Sequence, residues 1–569
     1  MHGWNEALRR RIPLVLVAIS LIVCVAEISL ASDEETITVE MIASAEALLG
    51  LEYGMEDRYE IIEGLTEYRD DYQSLRAFPF DETTLPSIVF NPIPPGMTFS
   101  GERQAFRYSV LVVERPDNLE EVAFYSIPEL SSLIRSGQVT STELTTLYID
   151  RLKRYNPTYR FAVTITEDLA LAQAAQADAE VAAGDYRGPL HGIPYGIKDL
   201  FSVAEYPTTW GVEPFADRII DQDASVVETL RDAGAILVAK LSTGRLASGE
   251  NWFGGTTRCA WNPRWGAGGS SAGPGSATAA GCVGFAIGTE TAGSMISPCE
   301  VNGVTGLRPT FGRVSRIGAM TTSWSFDKVA PMCRSAEGCA IVFNAIYGPD
   351  GRDNTIIDLP FNWSPDLDIR DLRIGYRTTF IEGELMPGDP TFRAEIRDAT
   401  LDVLDVFRDA GIDLVPLNFG GGHNLHDPCS SAAGIMMMCE NAAANDAIFR
   451  SEDMQALDQL ETNWPRYWKE SHFIPAVEYI HASQCRSVVM QTMQDMMEDV
   501  DVYIEITWTS EWDTNLTGHP YLVVPCGFHP SGKPITVSFV GSLFGEAELL
   551  AVGKWYQDAT AFHRMHPDL

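Results

Sequence analysis

The chain has 569 residues, 45% of them hydrophobic, 10% aromatic and 21% charged, a composition that excludes a disordered or fibrous protein and allows a large core. Its 78 acidic and 41 basic residues give a formal net charge of −37. That balance argues against nucleic acid and anionic membrane surfaces as partners, because both demand basic surface. The basic residues are nearly all Arg, with Lys only at positions 153, 198, 240, 328, 469, 533 and 554. An acidic, lysine-poor surface suits a salty medium that screens self-repulsion.

In chain order, Arg9, Arg10 and Arg11 precede an apolar run from Ile12 to Ala26, followed by Ser29, Leu30 and Ala31. This pattern predicts a signal peptide over residues 1–31, with Glu27 cutting the run short of a comfortable membrane span. It gives the expectation of a secreted or periplasmic protein that keeps no stable membrane insertion once the signal is cleaved. Residues 32–120 read as an N-terminal extension: helical from Thr38 to Phe78, with a break at Gly50 and a stripe of Ile61, Leu65, Tyr68, Tyr72 and Leu75, then a Pro-rich connector from Pro79 to Met97.

Residues 121–569 read as the main domain. Ser126 with Glu129, and Thr140 with Glu143, have capping-box spacing. The second helix is expected to stop at Asn156-Pro157. An Ala-rich helix spans Glu167–Ala183 before Gly184, a further helix spans 226–233, and a short buried strand spans 235–239. Strands alternating with helices predict the α/β class.

The richest segment runs from Gly266 to Pro298. It is dense in Gly, Ala and Ser, with Ser270 and Ser271 near one end and Ser294 beside Gly293 near the other. Small residues on both sides of a hydroxyl let backbone N–H groups and a reacting carbonyl come close. A serine nucleophile needs a base. A His base is the default, but the histidines fall in segments with no matching partner motif. Lys198, between Ile197 and Asp199, is flanked by apolar neighbours, and burial lowers a Lys pKa into the range of a useful base. A structural Lys198 paired with Asp199 is an equally good reading of these residues taken alone.

Three segments then stand together in order: GIPYGIKDL around Lys198, GGSS ending at Ser271, and GTETAGS ending at Ser294, with Ser294 24 positions after Ser270. The chain resembles the amidase signature family from about Phe124 to Pro567, and NGVTGLRPT at 302–310 and NLTGHP at 515–520 extend the likeness. The resemblance implies a large mixed β-sheet covered by helices on both faces. It implies Ser294 as nucleophile, Ser270 as proton relay and Lys198 as base. Thr291, Ala292 and Gly293, with Ser294 itself, would supply oxyanion-hole N–H groups. It also implies a cis peptide at Gly269–Ser270 and no cofactor or metal.

The implied substrate is a small-molecule or peptide amide, in the manner of an exported peptide-amidase-like enzyme, and a homodimer is compatible with it. Esters and carbamates would pass through the same chemistry. The A-type component of a tRNA-dependent amidotransferase and a non-catalytic binding protein are the alternatives. Ala272, Glu290, Ala292 and Ile296 depart from the common pattern. His423, His426, Asp427 and Cys429 read as a polar loop in preference to zinc ligands. Met436, Met437 and Met438, and Trp464, Tyr467 and Trp468, read as packing residues in a region that shapes the substrate site.

Overall fold

A computed structural model describes residues 36–77, 84–383, 385, 388–418, 429 and 431–569. The segment expected to be a signal peptide, and His423, His426 and Asp427, lie outside the described residues. The chain divides into two units between Asp81 and Glu82.

The smaller unit holds three helices, Val39–Leu49, Met55–Glu60 and Ile62–Arg76. Thr38 caps the first, its hydroxyl accepting the Met41 N–H at 3.3 Å, and Gly50 ends it in the left-handed region at φ +69°. Arg58 pairs with Glu46 at 2.7 Å, joining the first two helices. Of the stripe expected on the third helix, Tyr68, Tyr72 and Leu75 are exposed and Ile61 and Leu65 half-buried among the described residues.

In the larger unit the two capping boxes form as the spacing predicts, opening helices Ile127–Arg135 and Ser141–Tyr159. The second does not stop at Asn156-Pro157. Pro157 sits inside its last turn, and Arg160 closes it at φ +55°. Asn156 reinforces this end, accepting the Ala162 N–H at 2.9 Å and donating to the Ala162 carbonyl at 3.0 Å. The Ala-rich helix runs Glu167–Ala183 with Gly184 in the left-handed region.

Eleven strands form one mixed sheet. In chain order they are β1 Ala162–Ile165, β2 Pro194–Lys198, β3 Ile236–Leu241, β4 Phe285–Glu290, β5 Thr305–Arg308, β6 Lys328–Cys333, β7 Ile374–Arg377, β8 Leu414–Leu417, β9 Val502–Ile506, β10 Tyr521–Phe528 and β11 Pro534–Gly541. Their spatial order is β1-β3-β2-β4-β6-β5-β10-β11-β9-β7-β8. The strand β2 runs parallel to both β3 and β4.

The central strands are buried on both sides, so their alternation separates two cores rather than core from solvent. Leu237, Phe285, Ile287, Ile504 and Leu522 face one core, shared with helices Ile127–Arg135, Ala336–Ile346, Pro390–Asp409 and Glu546–Thr560. Val238, Ala286, Tyr503 and Val523 face the other, with helices Glu167–Ala183, Ala272–Ala279 and Ile296–Asn302. Helices thus cover both faces, as the resemblance implies.

Asp199 does not partner Lys198. Its carboxylate lies 2.8 Å from Lys240 Nζ and accepts from the Thr209 hydroxyl and N–H. Both charges are fully buried, and burial drives the Asp199 carboxyl up and the Lys240 ammonium down, opposed in each by the partner. Breaking a buried pair strands a charge. Asp199→Ala is therefore expected to lower the free energy of unfolding by about 3–5 kcal/mol, measured by denaturant titration.

Candidate active site

The site forms at the carboxyl ends of β2 and β4, where α/β sheets commonly place their chemistry. Lys198 is the last residue of β2, and Thr289 and Glu290 are the last two of β4. Lys198 Nζ donates to Thr289 Oγ1 at 2.7 Å and to Ser270 Oγ at 2.8 Å. Ser270 Oγ lies 2.9 Å from Ser294 Oγ. The three sequence-predicted groups therefore form one continuous chain from amine to hydroxyl, and Lys198, Ser270 and Ser294 are all buried.

Ser271 fixes the geometry. Its N–H donates to the Ser294 carbonyl at 3.0 Å. Its hydroxyl donates to the Thr289 carbonyl at 3.0 Å and accepts the Thr289 N–H at 3.2 Å. The Gly269–Ser270 peptide is cis. Gly269 is required by close approach: a Cβ there would meet the Gly249 carbonyl oxygen at 2.0 Å.

Burial pulls Lys198 down to about 7, against the opposing pull of the Glu290 and Asp327 carboxylates. At that value a large fraction of the amine is neutral near pH 7 and can take a proton. Reversing the donor sense along the same contacts would let a proton pass from Ser294 through Ser270 to Lys198.

The turn that carries Ser294 is organised by Glu290, a role the sequence did not reveal. Its carboxylate accepts the Gly293 N–H at 2.7 Å, the Met295 N–H, and the Ile296 N–H at 3.4 Å. Asn515 Nδ2 donates to it at 3.3 Å, and Arg308 lies 3.6 Å away. Asn515 in turn accepts from Lys328 Nζ at 2.7 Å. The Gly293 N–H, expected to face an oxyanion, is engaged by this carboxylate instead, because Glu290 reaches beneath the turn that follows β4. Thr291 is tied by its hydroxyl to Asp327 at 2.6 Å.

Within the turn, Gly293 takes φ +83°, whereas Ala292 is not among the residues with positive φ. An ordinary residue is thus accommodated at 292. Ile296 and Ala272 are fully buried; Ile296 packs into the core beneath helix Ile296–Asn302. A Cβ at Gly293 would meet the Trp508 ring at 2.5 Å, and Trp508 is pinned by its indole N–H to Glu300 at 2.7 Å. Gly293→Ala therefore combines left-handed backbone with a ring clash. It is expected to cost about 1–3 kcal/mol in thermal unfolding and to lower kcat.

The remaining segments singled out by sequence separate from this cluster. Trp464 and Trp468 are buried with Trp210, Phe215 and Met320, and Trp468 donates to Asn441. Met436 packs with Phe326 and Val489. Cys429 is disulfide-bonded to Cys485 across a Cα–Cα distance of 5.6 Å. Among the described residues no helix is long and apolar enough to cross a membrane.

An α/β fold with a lysine–serine–serine chain at its strand ends is the framework of an enzyme acting on amide C–N bonds. The comparisons with known proteins agree. The Amidase family model matches residues 143–512, and the chain belongs to that family. It is 33% identical over 501 residues to the A-type component of the glutamyl-tRNA(Gln) amidotransferase of Roseiflexus sp. (strain RS-1), covering 78% of this chain and 98% of the relative. It is 32% identical over 490 residues to the component of that name from Halorhodospira halophila, covering 78% and 99%. Among solved structures it is similar to the native peptide amidase of Stenotrophomonas maltophilia, with 27% identity, a TM-score of 0.68, and 78% and 98% coverage. The amidotransferase relatives overturn one expectation. They are components of an enzyme named for a charged tRNA, which is not met outside the cytoplasm, so the reading of a secreted or periplasmic protein is withdrawn.

Proposed function

We propose that this chain is a serine hydrolase that cleaves a carboxylic amide through an acyl-enzyme on Ser294. The observation that carries the reading is the unbroken Lys198–Ser270–Ser294 contact chain with links of 2.8 and 2.9 Å. Neutral Lys198, acting through Ser270, removes the Ser294 proton as Oγ attacks the carbonyl carbon. N–H groups of the turn, those of Thr291 and Ala292 foremost, receive the developing oxyanion, and Gly293 joins them only if its bond to Glu290 opens. Collapse breaks the C–N bond, the proton returns through Ser270 to the leaving nitrogen, and water then releases the acid by the same route. Esters and carbamates fit the same path.

The curated relatives favour a second reading, in which the chain supplies the amide-cleaving step of a tRNA-dependent amidotransferase. One experiment separates the two. The purified chain is incubated alone with glutamine, peptide amides and aryl amides, and then with glutamine, glutamyl-tRNA and the other amidotransferase components. Turnover of amides by the chain alone supports the hydrolase. Glutamine turnover that appears only in the presence of those components and tRNA replaces it with the amidotransferase reading.

A further inference from the structure

The turn that carries Ser294 leaves β4 beside the loop that enters β6, and the antiparallel register of the two strands carries past their ends. Lys328, the first residue of β6, stands opposite Glu290, the last of β4. One step further, Asp327 comes level with Thr291, whose hydroxyl donates to Asp327 Oδ1 at 2.6 Å. Asp327 Oδ2 accepts the Thr322 N–H at 2.7 Å and the Ser323 N–H at 2.9 Å. One oxygen thus fixes the carboxylate to its own loop, and the other holds the turn. Successive side chains of an extended segment point to opposite sides. Lys328 accordingly turns away to Asn515 at 2.7 Å and reaches Glu290 only through that residue.

Asp327 also lies on the side of Lys198. It lines a hollow of about 30 Å³ together with Thr289, whose hydroxyl accepts from Lys198 Nζ. The two carboxylates that act on the amine are Glu290 and Asp327. Ser270 and Thr289 are its neutral partners, and Asp199, next in the chain, is committed to Lys240. Desolvation pushes the Asp327 carboxyl up, opposed by the Thr291 hydroxyl, the Ser323 N–H, Arg316 and the Thr322 N–H. Its three hydrogen bonds all come from donors, the arrangement that favours the ionised form.

We propose that Asp327 is a positioning residue for acylation, holding Thr291 at the start of the oxyanion-facing turn and placing negative charge on the side of the Lys198 amine. The inference rests on amide cleavage at Ser294, in which the Thr291 N–H receives the developing oxyanion and Lys198 takes the Ser294 proton through Ser270. Asp327 acts through these two residues and exchanges no proton in the step. Asp327→Asn separates its two roles. The amide oxygen can keep the Thr322 and Ser323 N–H bonds, and the amide nitrogen can donate to the Thr291 hydroxyl, so the turn stays held while the charge is lost. Without that charge the Lys198 ammonium gives up its proton more readily, and the acid limb of the rate profile moves to lower pH.

The test measures kcat and KM for one amide across the pH range on wild type, Asp327→Asn and Asp327→Ala. The ratio of kcat/KM at about pH 6 to that at about pH 8 does not depend on how much of a preparation is folded. It is expected to rise about threefold or more in Asp327→Asn. Asp327→Ala, which also releases Thr291, is expected to have a kcat about tenfold or more below that of Asp327→Asn, with KM little changed. A ratio in Asp327→Asn that is unchanged or lowered overturns the proposal, as does a loss in Asp327→Ala that falls on KM. The same ratio, read from the rate of fluorophosphonate labelling of Ser294, needs no amide turnover. Absence of both turnover and labelling in the wild type removes the hydrolase reading and this inference with it, whereas an unchanged ratio with labelling intact removes this inference alone.

Discussion

Substituting Ser294 with Ala is expected to lower kcat on any amide substrate by several orders of magnitude, up to about a million-fold by analogy with serine hydrolases stripped of their nucleophile. The loss should fall on kcat rather than KM, because the hydroxyl is needed in the transition state and not for substrate binding. Ser294 is buried and its neighbours are held by their own contacts: Ser271 by the backbone and Thr289, Gly293 and Met295 by Glu290. The variant should therefore unfold at nearly the wild-type temperature. A kcat within tenfold of wild type would remove Ser294 from the chemistry.

The second large effect concerns Lys198. Lys198→Met, which keeps the volume and removes the amine, should abolish most of the activity that Ser294→Ala abolishes, and the two losses should not add, because the residues act as a unit. The sign of the pH dependence follows from burial. The amine is held down to about 7, and only its neutral form accepts a proton. Acylation should therefore fall as pH drops below about 7 and approach a plateau above it. The same shift has a consequence for stability. A lysine that titrates near 7 when folded and near 10.5 when unfolded binds fewer protons in the folded state between those values. Its unfavourable contribution to stability is thus largest below about 7 and fades as pH rises through that window. An acylation rate that rose on acidification would contradict a neutral-lysine base.

Much of this was legible in the residues, for identifiable reasons. Lys198 stood out because the chain uses Lys so rarely and because its neighbours are apolar. Ser270 and Ser294 stood out because small residues crowd around them. Capping boxes at Ser126 and Thr140, and the left-handed Gly184, are local signals read within a few residues, and they appear in the fold where they were expected.

What escaped was nonlocal, or depended on turn geometry. Glu290 reads as one more variant in a motif, yet its carboxylate bonds the backbone three and five residues on, a contact that exists only once the turn closes. Its supports, Arg308 and Asn515, come from other strands and helices. Trp508 meets Gly293 from more than two hundred residues away in sequence. The role of Asp199 was ambiguous because two buried lysines compete for it, and only the register of β2 against β3, which sets Lys198 opposite Leu241 and Ile197 opposite Lys240, decides in favour of Lys240. Tyr68, Tyr72 and Leu75 kept helical spacing on the third helix yet are exposed among the described residues, since periodicity states which residues share a face and not what lies against it.

The most direct test of the Ser294 mechanism is covalent labelling with a fluorophosphonate, followed by peptide mapping. A single phosphonylated residue, Ser294, is expected in the wild type, with labelling lost in Ser294→Ala and slowed at least a hundredfold in Lys198→Met. Labelling that maps to another residue, or that persists in Ser294→Ala, would contradict it.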